Sequence, residues 1–278
     1  MKKIVFFLLA TILFFSNSIA QVKKTGSQPF VLGVTDKIQS VILSESRTLN
    51  IYLPEGYSPD SAATYPVIYL LDGSADEDFI HISGLVQYLS FPWINVMPKS
   101  IVVGIANVDR KRDFTYPSKN PEDVKLCPTS GGSEKFITFL EKEVQPYIQK
   151  NYKANDQKTL IGESLGGLLA TEILLKKPSL FNNYIIVSPS LWWDKESLLA
   201  NAKTTLDKNV VNPVKVYVSV GTEGKQMQDD AAALANLLAA KADTDKKITS
   251  YYVPMPDENH GTIMHRSVYK AFELLFKK

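Results

Sequence analysis

The sequence predicts an α/β domain: a mainly parallel central sheet of about eight strands with helices on both faces. Three observations predict it. Strand-like and helix-like segments alternate along nearly the whole chain. Most of the strand-like segments are continuous Val, Ile, Leu and Tyr runs, as expected of strands covered on both faces. One of them, 159–161, passes through Gly162-Glu163-Ser164-Leu165-Gly166-Gly167 directly into a helix-compatible run at 168–176.

In chain order, the first twenty residues stand apart from the fold. Lys2 and Lys3 precede an apolar run at 4–15 and a small-x-small site, Ser18-Ile19-Ala20, which together read as a signal peptide. The apolar core is short for a membrane span, and no cysteine follows Ala20 to carry a lipid. The expectation is an exported protein, periplasmic or secreted, with no stable membrane anchor after cleavage. Residues 21–278 then form one domain, large enough to bury about three quarters of its unfolded surface.

Residues 31–34, 37–43 and 48–53 read as early strands, the last two forming a hairpin around Glu45-Ser46-Arg47. Strands follow at 66–71, 100–106, 159–161, 183–187, 214–220 and 248–253, with helices at 132–150, 168–176, 229–241 and 264–276. Two stretches, 107–131 with three prolines and 189–209 with Trp192-Trp193, read as long loops. Long ordered loops in compact domains are usually functional, so both are expected to wall a pocket.

Charge and cysteine usage exclude several classes. Losing Lys2 and Lys3 turns 31 basic and 29 acidic residues into 29 of each, so no basic excess favours nucleic acid. Cys127 is the only cysteine, which rules out an internal disulfide, and it reads as a packed side chain. With three histidines and no Cys/His cluster, neither a metal nor any other cofactor is called for.

The strand–turn–helix context makes Gly-x-Ser-x-Gly a nucleophile elbow. Small residues at Gly162 and Gly166 leave room for a tight turn that lifts Ser164 to the N-terminus of a helix. Serine needs a base, and histidine is the default. In the chain order nucleophile, acid, base, His81 comes too early, and His265 falls inside the last helix. His260, in Asn259-His260-Gly261 after the last strand, is the expected base. The acid belongs after the penultimate strand, where Glu223 stands; Asp229, Asp230, Asp257 and Asp194 remain alternatives. Oxyanion donors are expected from the backbone of Leu165 and of Gly73 or Ser74. Arg110 and Arg112 are candidates for gripping an anionic acyl group, the alternative being a basic loop tied to Asp109 and Asp113. Trp192 and Trp193 are candidates for stacking on a ring, with one packed in the fold and the other facing the site.

Tyr69-Leu70-Leu71-Asp72-Gly73, the run from Asn107 to Phe114, the elbow, Ser188-Pro189-Ser190-Leu191-Trp192-Trp193 and Asn259-His260-Gly261 together resemble an esterase family of α/β-hydrolases. That family contains siderophore, feruloyl and acetylxylan esterases, S-formylglutathione hydrolases and mycolyltransferases, and the resemblance spans roughly 40–278. It implies an α/β-hydrolase fold, the Ser164/His260 pair and a small-molecule or glycan-linked ester as substrate. The Arg-rich and Trp-Trp pieces look most like the siderophore-esterase branch, where the acid varies. Acyl transfer on the same residues and a catalytically silent binding protein are the rival readings. Nothing in the sequence specifies an oligomeric state.

Overall fold

The computed structural model describes residues 22–210 and 212–276. The expected signal peptide lies outside them. Residues 22–31 carry no regular secondary structure, and the compact unit is Leu32–Lys278.

Among the described residues, eight strands form one sheet in the order β1-β2-β4-β3-β5-β6-β7-β8. These are β1 (Gly33–Ser40), β2 (Glu45–Tyr52), β3 (Tyr65–Leu70), β4 (Ile101–Ile105), β5 (Ala154–Glu163), β6 (Asn183–Val187), β7 (Val214–Val220) and β8 (Ile248–Pro254). β1 pairs antiparallel with β2, and β2 with β4; every later pairing is parallel. The parallel part needs a crossover between successive strands, and helices supply them.

The helices are α1 (Phe79–Leu89), α2 (Arg110–Phe114), α3 (Pro121–Leu126), α4 (Ser133–Phe139), α5 (Gln145–Asn151), α6 (Leu165–Lys176), α7 (Trp193–Asn209), α8 (Lys225–Thr244) and α9 (Ile263–Phe276). A π-helical turn, Leu140–Val144, joins α4 to α5. Alternation along the strands feeds two cores. Leu160, Ile186 and Val216 face a large one with Phe136, Leu168, Ile173 and Leu206. Ile161, Ile185 and Tyr217 face a smaller one with Ile82, Val86, Val268 and Phe272 from α1 and α9. The sheet is therefore covered on both faces, as its continuous apolar strands require.

The structure departs from the sequence expectation at several elements. The two strands expected at 31–34 and 37–43 are one, β1, and the hairpin turn falls at 41–44 rather than at Glu45-Ser46-Arg47, which open β2. The 189–209 stretch is mostly helix, with left-handed φ of 50°, 52° and 61° at Asp194, Lys195 and Glu196 breaking its start. α1 was not anticipated. The 107–131 stretch contains the short helices α2 and α3.

Candidate active site

Ser164 sits between the end of β5 and the first residue of α6, at φ 59° and ψ −119°. Such a backbone is disfavoured for a residue with a Cβ, by on the order of 1–3 kcal/mol. The neighbours make it possible. A Cβ on Gly162 would lie 2.4 Å from the Gly166 carbonyl oxygen, and one on Gly167 would lie 2.9 Å from both Pro189 Cα and the Val187 carbonyl oxygen. β5 and α6 can close into so sharp a turn only with glycine there. Asp72 and Ser188, at φ 53° and 42°, add two more left-handed residues around the same point.

Ser164 and His260 line one cleft of about 450 Å³, together with Ser190, Trp192, Thr222, Glu223, Met227 and Asn259. His260 Nδ1 lies 2.6 Å from Glu223 Oε2. The carboxylate is held from behind: Glu223 Oε1 accepts Ser188 Oγ–H at 2.5 Å and the Gly221 N–H at 3.0 Å. Its side chain is 3% exposed against 49% for His260, so the acid is rooted and the imidazole faces the opening. The two loops are stitched together by the Thr222 N–H on the Glu258 carbonyl at 2.7 Å and Thr222 Oγ1–H on the Pro256 carbonyl at 2.8 Å. Gly221 allows that approach, since a Cβ there would lie 2.6 Å from the Glu258 oxygen.

The other acids go elsewhere. Asp194 accepts from Ser118 Oγ and the Lys119 N–H; Asp229 pairs with Lys225 on the exposed face of α8; Asp230 is on its buried face; Asp257 is exposed. Asp229 and Asp230 were expected in the opening turn of that helix, but α8 starts at Lys225.

Electrostatics follow from these contacts. The Glu223 hydrogen bond holds the His260 pKa above the ordinary imidazole value against the opposing effect of burial, and Glu163 adds to the rise. Burial pushes the Glu223 carboxyl up, but its bonds to His260, Ser188 and Gly221 more than reverse this and hold it below the carboxylate norm. Glu163, between Gly162 and Ser164, is pushed up to about 7 by burial, and one of its carboxyl oxygens is buried without a hydrogen-bond partner among the described residues.

Ser164 Oγ lies 3.3 Å from Ser190 Oγ, a residue the sequence reading quoted only within a motif and gave no role. The Leu165 N–H opens α6, where the first amides have no partner within the helix. Gly73 must be corrected as an oxyanion donor: its N–H is committed to the Ile105 carbonyl at 3.1 Å. Ser74 is left, its N–H making only a long 3.3 Å contact with Glu77 Oε2.

The arginines are also corrected. Neither lines the cleft. Arg112 forks onto Glu45 at 2.6 and 3.1 Å and bonds Asp113 at 2.8 Å. Arg110 forks onto Asp72 at 2.6 and 2.9 Å. Of the tryptophans, Trp193 is fully buried and donates Nε1–H to the Tyr116 carbonyl at 2.8 Å, so it cannot stack on a ligand. Trp192 is half-buried in the cleft wall. The 107–131 stretch, expected to wall the pocket, instead supports the buried tryptophan and the elbow. His81 is off the cleft, its ring 4.3 Å from that of His265.

These positions set an expectation. Trp193→Ala costs about 3–5 kcal/mol of stability by denaturant titration, the usual range for emptying a buried aromatic site. Trp192→Ala leaves the midpoint nearly unchanged and raises KM for aromatic esters more than for short alkyl esters.

Comparison with known proteins gives the family. The family model described as Putative esterase matches residues 40–269. The chain belongs to that esterase family. It is 30% identical over 264 residues to ferri-bacillibactin esterase BesA of Bacillus subtilis, covering 88% of this chain and 90% of the relative. Among solved structures it resembles an IroE-like serine hydrolase from Shewanella oneidensis, at TM-score 0.79 and 30% identity over 88% of this chain and 80% of the other. The BES protein from Bacillus cereus superposes at TM-score 0.80 and 29% identity, over 92% of this chain and 100% of the other. The chain is accordingly a carboxylic ester hydrolase with the α/β-hydrolase fold.

Proposed function

We propose that the protein is an exported serine esterase that cleaves siderophore-type esters through an acyl-enzyme. The observation that carries the reading is the 2.6 Å His260–Glu223 pair facing the same cleft as Ser164 at the head of α6. Ser164 Oγ turns from Ser190 toward His260, whose Nε2 takes its proton as Oγ attacks the ester carbonyl. Glu223 fixes the Nδ1–H tautomer and stabilises the imidazolium. The N–H groups of Leu165 and Ser74 receive the tetrahedral oxyanion, each worth on the order of 3–4 kcal/mol at the transition state. His260 then protonates the leaving alcohol, and water repeats the sequence to free the acid.

The siderophore assignment rests on the ferri-bacillibactin esterase relative and on a cleft that, beyond the reacting groups, is lined by Trp192 and Met227 and by the uncharged polar Ser190, Thr222 and Asn259. Export rests on residues 1–20. The test is product analysis after incubation with bacillibactin and with p-nitrophenyl butyrate, with and without an added alcohol. Linear acids from both substrates support the reading. Transfer of the acyl group to the alcohol in preference to water makes the protein an acyltransferase instead. Tight bacillibactin binding without any bond cleavage makes it a binding protein.

The raised His260 pKa gives a pH expectation. The base acts when neutral, so kcat/KM rises with pH through an apparent pKa above 6.5, the ordinary imidazole value. Removing the Glu223 carboxylate shifts that acid limb to lower pH. A pH–rate profile from about pH 5 to 9 on both proteins reads it directly.

A further inference from the structure

We propose that Arg110 is a positioning residue that locks the oxyanion loop to the nucleophile elbow. The inference rests on the esterase reading and adds to it a part for an arginine that the sequence pointed toward substrate. Asp72 immediately precedes Gly73-Ser74, and Glu163 immediately precedes Ser164-Leu165. The Arg110 guanidinium spans the two. Nε donates to Asp72 Oδ1 at 2.6 Å, and Nη2 donates both to Asp72 Oδ2 at 2.9 Å and to the Glu163 carbonyl at 3.3 Å. Asn107 adds a second donor to Asp72 Oδ1 at 2.7 Å.

The loop is fixed on its other side by backbone. The Gly73 N–H bonds Ile105, its carbonyl accepts Asn50 Nδ2–H at 2.9 Å, and a Cβ on Gly73 would lie 2.3 Å from Gly104 Cα. The β4 side is thus closed by packing; toward β5 the backbone is tied as far as the Leu71 N–H on the Ile161 carbonyl at 3.0 Å, and Arg110 carries the connection on from Asp72 to Glu163 beside the elbow. Asp72 and Ser164 both hold left-handed φ, a conformation that persists only where surrounding contacts over-determine it. The close fit extends to Gly166, where a Cβ would come within 3.3 Å of Asp72 Oδ2. A planar fork suits three acceptors at once, and the Phe114 ring 5.5 Å from the guanidinium carbon supports its face. A lysine would present one point charge to the same acceptors.

The test compares Arg110→Gln, Arg110→Lys and Asp72→Asn with wild type, on p-nitrophenyl butyrate and on the anionic mono-p-nitrophenyl glutarate. Inhibition by an aryl trifluoromethyl ketone, which forms a tetrahedral oxyanion on the serine, is measured alongside. Arg110→Gln is expected to lose kcat by roughly 30–100-fold on both esters with KM within about threefold, the scale of a misplaced oxyanion donor. The ketone weakens by a similar factor, Asp72→Asn reproduces the loss, and Arg110→Lys recovers only part of it. Assays run well below each variant's melting temperature keep folding out of the comparison. Unchanged kcat and ketone affinity in both Arg110→Gln and Asp72→Asn would overturn the proposal. So would a loss that appears in KM and only for the anionic ester, which would make Arg110 an acyl-binding residue. An inert wild type removes the esterase reading and the clamp together; an active wild type indifferent to Arg110 removes the clamp alone.

Discussion

Ser164→Ala is expected to lower p-nitrophenyl butyrate turnover by roughly 10⁴-fold or more, with an unchanged fold. The reason is chemical: Ser164 stands at the head of α6, where the first amides have no partner within the helix, and shares its cleft with His260. Ser190 Oγ, 3.3 Å away, is a hydroxyl close enough to substitute, so the double variant Ser164→Ala/Ser190→Ala tests any residue of activity. His260→Gln is expected to fall by a comparable factor, and combining it with Ser164→Ala adds little, because nucleophile and base act as one unit. Circular dichroism and melting curves like those of the wild type distinguish lost chemistry from lost structure. Relief of the left-handed strain at position 164 is not expected, since alanine also carries a Cβ.

Glu223→Gln is the second large effect, on the order of 10³–10⁴ in kcat. The amide keeps the volume but presents an N–H or a weaker acceptor to Nδ1, so the imidazole no longer has its tautomer fixed and its charge balanced. Two donors, Ser188 Oγ and the Gly221 N–H, were arranged for a carboxylate and favour the amide oxygen on their side. That turns the amide nitrogen toward His260, the worst orientation for a base that must donate from Nδ1. The loss should be accompanied by the fall of the acid limb described above. A ten-fold loss or less, with the acid limb unmoved, would mean that the pair acts as a Ser164–His260 dyad and that Glu223 is structural.

Much of this site was readable in the sequence because it follows chain order and local steric need. The elbow needs glycines where β5 turns into α6. His260 and Glu223 follow from which strand end each loop leaves, and strand order in a parallel sheet brings those ends together. Side-chain allegiance was not readable. Arg110 and Arg112 look alike in sequence, yet their partners, Asp72 and Glu45, come from loops and strands far away in the chain. Gly73 shows the same limit in backbone form: only the approach of β4 reveals that its N–H is engaged. Local signals for two helices were present but weak. α7 buries Leu198, Ala202 and Leu206 at helical spacing in an otherwise polar run. α1 buries Phe79, Ile82, Val86 and Leu89 around a central Gly84 that disfavours helix.

The most direct test of the central claim, that Ser164 is the nucleophile of an esterase, is mass spectrometry of the protein after reaction with diisopropyl fluorophosphate. The account predicts one phosphoryl adduct per chain, mapped to the peptide containing Gly162-Glu163-Ser164-Leu165-Gly166, appearing in step with loss of p-nitrophenyl butyrate turnover. Slower labelling in His260→Gln is expected as well. Full inactivation with the adduct on another residue, or undiminished turnover by a protein fully labelled at Ser164, would contradict it.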